Sequence, residues 1–143
     1  MVRITDEGSH FEVPVEKVWK LVEAHGTEMT KIHPDAKNPK LELQGENFAV
    51  VSWQMEQEGR TVNVKIRTTS FPPLASVIEV MDGPMAGTKF VNYYTPKGAR
   101  TGVTVIGDFH SPVIPEAHLE KAAREFLDNG FNEDSAYLKH HMK

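Results

Sequence analysis

The sequence contains no cysteine among its 143 residues. This absence excludes disulfides, thiolate metal sites and cysteine nucleophiles together, so packing must stabilise the fold, and any chemistry must use His, Asp, Glu, Tyr or Ser. No apolar run approaches the roughly 20 residues that a membrane-spanning helix needs, and the N-terminus lacks the basic-then-apolar pattern of a signal peptide. We therefore expect a cytoplasmic protein.

An excess of positive charge is also missing. The chain has 16 Lys and Arg against 20 Asp and Glu, and the basic residues are spread along it, which argues against a nucleic-acid-binding surface. It has no Gly-rich phosphate loop, no His-Glu-x-x-His pattern and no Gly-x-Ser-x-Gly elbow, which argues against nucleotide hydrolysis and against metalloprotease or esterase chemistry of those types. The composition, 39% hydrophobic and 25% charged, is that of an ordinary globular protein, and we expect one domain over residues 1–143.

The first third of the chain predicts one strand and two short helices. Residues 10–13 alternate in polarity and meet Pro14, a residue favoured in the first turn of a helix. Apolar residues then recur at helical spacing over residues 15–22, and Gly26 closes this helix. A second short helix over residues 28–32 stops at the following His-Pro pair, because the residue before proline is pushed out of the helical region.

From Lys40 onward the apolar period changes from about 3.6 to 2, and turn residues recur at short spacing. We predict six antiparallel strands around residues 41–43, 48–58, 62–67, 77–81, 89–95 and 102–110. The proline-rich stretch 70–76 is interpreted as a connection within the sheet. The last segment, from Glu116 to about His141, carries a broad apolar stripe and predicts a helix about 40 Å long.

This order predicts an α+β helix-grip fold: a seven-stranded curved antiparallel sheet wrapped around a long C-terminal helix, with two short helices between strands 1 and 2. Three segments resemble the START-related (SRPBCC) superfamily, namely FEVPVEKVWKLVEAHG (11–26), KIHPDAKN (31–38) and GVTVIGDFHSPVIP (102–115). That superfamily includes polyketide cyclases, lipid-transfer domains and plant pathogenesis-related proteins. The resemblance implies binding of a lipid, steroid, quinone, polyketide or similar apolar molecule, and a minority of members catalyse cyclisation or dehydration.

Our first hypothesis is therefore a non-catalytic protein that binds or carries a hydrophobic small molecule between the long helix and the sheet. The residues predicted to line this pocket are Phe11, Trp53, Val64, Ile66, Tyr94, Phe126 and Gly130. No cofactor and no native metal site is expected, because the adjacent His140 and His141 have no third ligand spaced nearby. An alternative is an interaction module that forms a homodimer through a sheet edge or an apolar patch.

The rival hypothesis is an enzyme of the cyclase or dehydratase type that uses His, Asp and Tyr in the same cavity. Asp108 and His110 lie two residues apart and share one face of the last strand, and His33 would approach them if the second short helix capped the pocket. Tyr93 and Tyr94 are adjacent, so one of them must face each side of the sheet. Such an enzyme requires at least two of these groups to converge on one cavity.

The orientation of the last strand decides between these hypotheses, and the sequence leaves it open. Val103, Val105 and Phe109 lie on one face of that strand, whereas Ile106 and the Asp-His pair lie on the other. Packing alone favours the first set as the inner face. In that case the Asp-His pair lies outside the pocket.

Overall fold

The computed structural model describes residues 1–141, which form the seven strands and three helices in the predicted order. Their bounds are β1 Val2–Phe11, α1 Val15–Ala24, α2 Met29–Ile32, β2 Lys37–Gln44, β3 Phe48–Gln57, β4 Arg60–Phe71, β5 Ala75–Asp82, β6 Lys89–Lys97, β7 Arg100–Phe109 and α3 Glu116–His141. The strands make one sheet in the order β1-β7-β6-β5-β4-β3-β2, and every pair is antiparallel. The predicted helix-grip fold is confirmed.

The first strand is longer than the sequence pattern indicates, because it begins at Val2 rather than at His10. Its pairing with β7 shifts register between Asp6 and Ser9, and Gly8 has a φ of 92° there, a backbone conformation that favours glycine. This irregularity interrupts the alternation by which a strand is recognised. The opposite edge strand, β2, carries two such register shifts of its own.

The inner face of β7 is the apolar one. Val103, Val105 and Phe109 are buried, whereas Ile106 on the other face is 38% exposed. Because directly paired residues share a face of the sheet, Phe90, which pairs with Gly107, also points inward. Phe90 lies between Phe109 and the long helix, with its ring 5.5 Å from that of Phe109. The inner side of the sheet is thus the side that faces α3.

The long helix α3 packs on one flank of the sheet. Among the described residues, its backbone lies near β1, β7, α1 and α2 rather than near the middle strands. Leu119, Ala123, Tyr137 and Leu138 form its buried face, and Phe131 stacks on an aromatic ring at the end of β1. No helix within residues 1–141 is both long enough and apolar enough to cross a membrane.

Gly107 marks the tightest contact between β6 and β7. A Cβ atom there would lie 2.3 Å from Phe90 Cβ and 2.7 Å from Phe90 Cα. We predict that Gly107→Ala lowers the free energy of unfolding by about 1–3 kcal/mol, because a methyl group has no room beside this backbone. Gly130→Ala is the matched control: a Cβ in the middle of α3 meets nothing within 4 Å, so alanine should raise stability by about 0.5–1 kcal/mol. Urea denaturation of the two variants tests both signs.

Candidate functional site

The inner face of the sheet is incompletely covered at its centre. Ile66 on β4 and Ile78 on β5 face α3 but are only partly buried, although they belong to middle strands. On α3, Phe126 remains 39% exposed, and its ring meets that of Phe90 edge-on at 6.2 Å. Gly130 follows one helical turn later and adds no side chain. We call this incompletely covered part of the inner face, with Ile66 and Ile78 on the sheet and Phe126 and Gly130 on α3, the groove.

The other predicted lining residues lie around the groove in different roles. Phe11, Val64 and Tyr94 are buried at 5%, 8% and 7% exposure, so they are part of the core that supports the inner face. Phe11 stacks on Phe131 with ring centroids 4.8 Å apart. Trp53 is partly buried and packs on a small second cluster that includes a residue of α2. Ile66, Phe126 and Gly130 are the predicted residues at the uncovered centre of the inner face, whereas Trp53 and Val64 line a separate depression.

Polar groups are buried at one end of the inner face. The hydroxyl groups of Ser76 and Tyr94 are 3.0 Å apart, and Asn92 donates to Ser76 over 3.5 Å. Burial raises the pKa of Tyr94 to about 12, so its hydroxyl keeps its proton at neutral pH. Trp19 of α1 packs edge-on against the Tyr94 ring at 5.4 Å, and its Nε1 is buried without a partner in residues 1–141.

Three of the predicted polar residues lie away from the groove. Asp108 points to the outer face, where Arg3 binds its carboxylate and holds its pKa below the usual range. Tyr93, on the same face, is 39% exposed. His110 follows the end of β7, and its main-chain N–H and C=O both bond to the Thr88 hydroxyl at 3.0 Å. The structure therefore does not bring these three residues together on one cavity, because the buried valines of β7 occupy its inner face.

The fourth predicted polar residue, His33, belongs to a cluster at the junction of the three helices. His25 Nε2 and His33 Nε2 are 3.1 Å apart, and Asp134 Oδ1 lies 3.2 Å from the first and 3.3 Å from the second. On the far side of each ring, His25 Nδ1 contacts the Leu21 carbonyl at 2.8 Å and His33 Nδ1 contacts Glu133 Oε1 at 3.0 Å. We call His25, His33 and Asp134 the helix-junction triad.

The triad is largely covered, and its charges are coupled. The three side chains are 22–23% exposed. Burial opposes charge on Asp134, but the two neighbouring imidazoles outweigh it and lower its pKa. Burial likewise opposes charge on His33, but Asp134 and Glu133 outweigh it and raise the pKa of that ring. Asp134 Oδ1 is buried and accepts no hydrogen bond within the described residues.

A separate depression of about 340 Å³ lies at the β2–β4 end of the sheet. Gln54, Asn63 and Lys65 line it, and their pairing places them on the face opposite to α3. Its walls are mainly polar and its mouth is open, so it offers little apolar contact to a hydrophobic ligand. The inner groove is the better candidate for such a ligand.

Sequence reasoning identified His33 and missed the two residues beside it. His25 directly follows α1 and stands eight residues before His33, and the two come together because the chain turns between α1 and α2. Asp134 is more than 100 residues further on. The available signal was its place on α3, where Phe126, Gly130 and Asp134 follow at four-residue spacing and so share the face turned toward the groove.

Solved structures with the same architecture have little sequence in common with this chain. The Zhui aromatase/cyclase from Streptomyces sp. R1128 matches with a TM-score of 0.72 at 14% identity, over 99% of this chain and 97% of that one. The protein TTHA0849 from Thermus thermophilus matches with a TM-score of 0.74 at 12% identity, over 99% of this chain and 100% of that one. Norcoclaurine synthase from Thalictrum flavum matches with a TM-score of 0.67 at 12% identity, over 99% of this chain and 90% of that one.

These similarities establish the fold. No family model matches the chain. The resemblance to START-related proteins that the sequence suggested is thus confirmed as a shared helix-grip architecture, which the aromatase/cyclases and norcoclaurine synthase also have.

The buried Ser76–Tyr94 pair gives a test of the inner face. We predict that Tyr94→Phe lowers the free energy of unfolding by about 1–2 kcal/mol, because it takes a hydrogen-bond partner from a serine that is 1% exposed. Tyr93→Phe removes the same atom from the outer face and should change stability by less than about 0.5 kcal/mol. Urea denaturation measures both variants, and equal losses would contradict the assignment of faces.

Proposed function

We propose that this protein binds a hydrophobic small molecule in the groove between α3 and the middle of the sheet. The observation that carries the proposal is the incomplete burial of Ile66 and Ile78 at the centre of the inner face, opposite the exposed ring of Phe126. Apolar side chains in the middle of a sheet are normally covered, because exposing them to water is unfavourable. A ligand would supply the cover that α3 does not.

Binding at such a surface needs no catalytic group. Burying about 300 Å² of apolar ligand surface contributes on the order of 7 kcal/mol before the costs of association are subtracted. The phenyl ring of Phe126 favours a flat or aromatic ligand, because aromatic rings pair well edge-on or offset. Ligand classes that fit this chemistry are lipids, quinones and polyketides.

Polar groups beside the groove would orient the ligand. The indole N–H of Trp19 is a buried donor with no acceptor in residues 1–141, and Asn92 lies on the inner face next to the Ser76–Tyr94 pair. A buried donor without a partner costs free energy that a ligand carbonyl or hydroxyl would recover. We therefore propose a ligand with at least one oxygen atom at its buried end.

The similar structures support this ligand chemistry. One is an aromatase/cyclase, and another holds dopamine and hydroxybenzaldehyde, both small aromatic molecules that carry oxygen. The enzyme alternative for the present chain, acid–base catalysis by Asp108, His110 and Tyr93, has less support because these side chains do not line the groove. We propose binding or carriage as the function of the groove itself.

The experiment blocks the groove without disturbing the core. Gly130→Leu places a side chain where a Cβ meets nothing within 4 Å, so the fold should persist while the groove fills. We expect Gly130→Leu to lower the affinity of the dye 1-anilinonaphthalene-8-sulfonate at least about tenfold, a change of about 1.4 kcal/mol. The fluorescence enhancement of the dye measures its binding to each protein. Native mass spectrometry of the purified wild-type protein should also show a bound small molecule.

The matched control is Asn129→Leu, which adds the same side chain at an exposed neighbouring position of α3. It should leave dye affinity unchanged, and circular dichroism should show both variants folded. Equal dye binding by wild type and Gly130→Leu would refute the groove as the binding site. Loss of binding in both variants would show that the added leucine, rather than the position, is responsible.

A further inference from the structure

We propose that the helix-junction triad of His25, His33 and Asp134 is a binding site for a divalent transition-metal ion such as Zn²⁺. Within residues 1–141 these three side chains are the group whose ligand atoms lie close enough together to hold one ion. His25 directly follows α1, His33 directly follows α2, and Asp134 lies in α3 about 100 residues later, so the fold itself assembles the site. The inference does not depend on what the groove binds.

The spacing of the three ligand atoms fits a single metal ion. A tetrahedral zinc ion with ligands at about 2.0–2.1 Å holds them about 3.3 Å apart, and the face of an octahedral ion at about 2.1 Å has edges of about 3.0 Å. The observed edges between Nε2, Nε2 and Oδ1 are 3.1, 3.2 and 3.3 Å. An ion seated against this triangle touches all three atoms without any shift of the backbone.

The hydrogen bonds behind the rings leave the triangle without donors when both rings are neutral. The Leu21 carbonyl can only accept, so His25 Nδ1 must carry its hydrogen, and the carboxylate of Glu133 requires the same of His33 Nδ1. In the neutral rings, both Nε2 atoms therefore present lone pairs. These two lone pairs and the buried Asp134 Oδ1 lie within 3.3 Å of one another, an arrangement that is repulsive unless a proton or a metal ion lies between them.

The same contacts are the outer support that metal-binding histidines usually have. A ligating imidazole normally donates its other N–H to a carboxylate or a main-chain carbonyl, which fixes the ring and makes it a better ligand. His33 has the first kind of partner in Glu133 and His25 has the second kind in Leu21. Each ring is thus already oriented with Nε2 toward the common centre.

The donor set selects among ions. Two imidazole nitrogens and one carboxylate oxygen suit Zn²⁺ and neighbouring transition metals, whereas Ca²⁺ and Mg²⁺ prefer oxygen ligands alone. Three protein ligands also leave at least one coordination position open for water or for an oxygen atom of a bound molecule. Asp134 lies on the same face of α3 as Gly130 and Phe126, so the ion would lie next to the groove.

Metal titration of the untagged full-length chain tests the site directly. After treatment with a chelator and its removal, the protein is titrated with Co²⁺ and followed by visible absorption, and Zn²⁺ is then added as a competitor. We expect one equivalent of Co²⁺ to bind, Zn²⁺ to displace it, and the melting temperature to rise with Zn²⁺ concentration, because the ion binds the folded state. The intensity of the absorption bands reports the coordination number.

Variants identify the ligands. Glu133→Gln keeps the shape of the outer partner but removes its charge, and should weaken Zn²⁺ binding by roughly 10–100-fold. Asp134→Asn and, separately, His25→Gln remove a direct ligand and should weaken binding more than Glu133→Gln does. His118→Ala and His140→Ala change exposed histidines elsewhere on α3 and should leave the affinity unchanged. Circular dichroism of the metal-free variants verifies folding.

Two results would overturn the proposal. The first is the absence of saturable one-to-one binding in the wild type, which would mean that the triad holds only a proton. The second is wild-type affinity in folded Asp134→Asn and His25→Gln together with a loss in His140→Ala, which would place the ion adventitiously at the C-terminal histidine pair. Neither result bears on dye binding in the groove, so the two proposals fail separately.

Discussion

The contact of α3 with β1 and β7 is the interaction on which the rest of the structure depends. It buries the valines and Phe109 of β7 under the helix, and it thereby fixes which face of every other strand points inward. Because α3 lies near β1 and β7, Ile66 and Ile78 on the middle strands stay partly uncovered. The groove and the helix-junction triad both follow from this off-centre position.

The two candidate sites depend on different physical effects. The groove is an uncompensated hydrophobic surface, for which shape and apolar area matter most. The triad depends on electrostatics, because three electron-rich atoms lie close together in a largely buried place. The outer partners of the two rings hold the hydrogen on Nδ1, so a neutral ring cannot reduce this repulsion by changing its tautomer. Phe126, Gly130 and Asp134 lie along one face of α3, so this face contributes to both the groove and the triad.

The architecture was predictable from local patterns, because alternation in strands such as Val62–Ile66 and the apolar stripe of α3 are short-range signals. The beginning of β1 was not, since the bulge before Ser9 breaks the alternation. The face of Asp108 depended on long-range packing, which periodicity alone does not report. The triad was only partly visible, because His25 and Asp134 become neighbours through tertiary structure.

The register shifts in β1 and β2 have a consequence for the behaviour of the protein at high concentration. These two strands are the margins of an unclosed sheet, where unpaired main-chain groups would otherwise recruit a strand from another molecule. Their bulges distort the row of free N–H and C=O groups, and β2 adds Lys37 and Lys40, so that a second copy finds no continuous ladder to extend. The same irregularities that disguise β1 in the sequence therefore oppose growth of the sheet into a fibre.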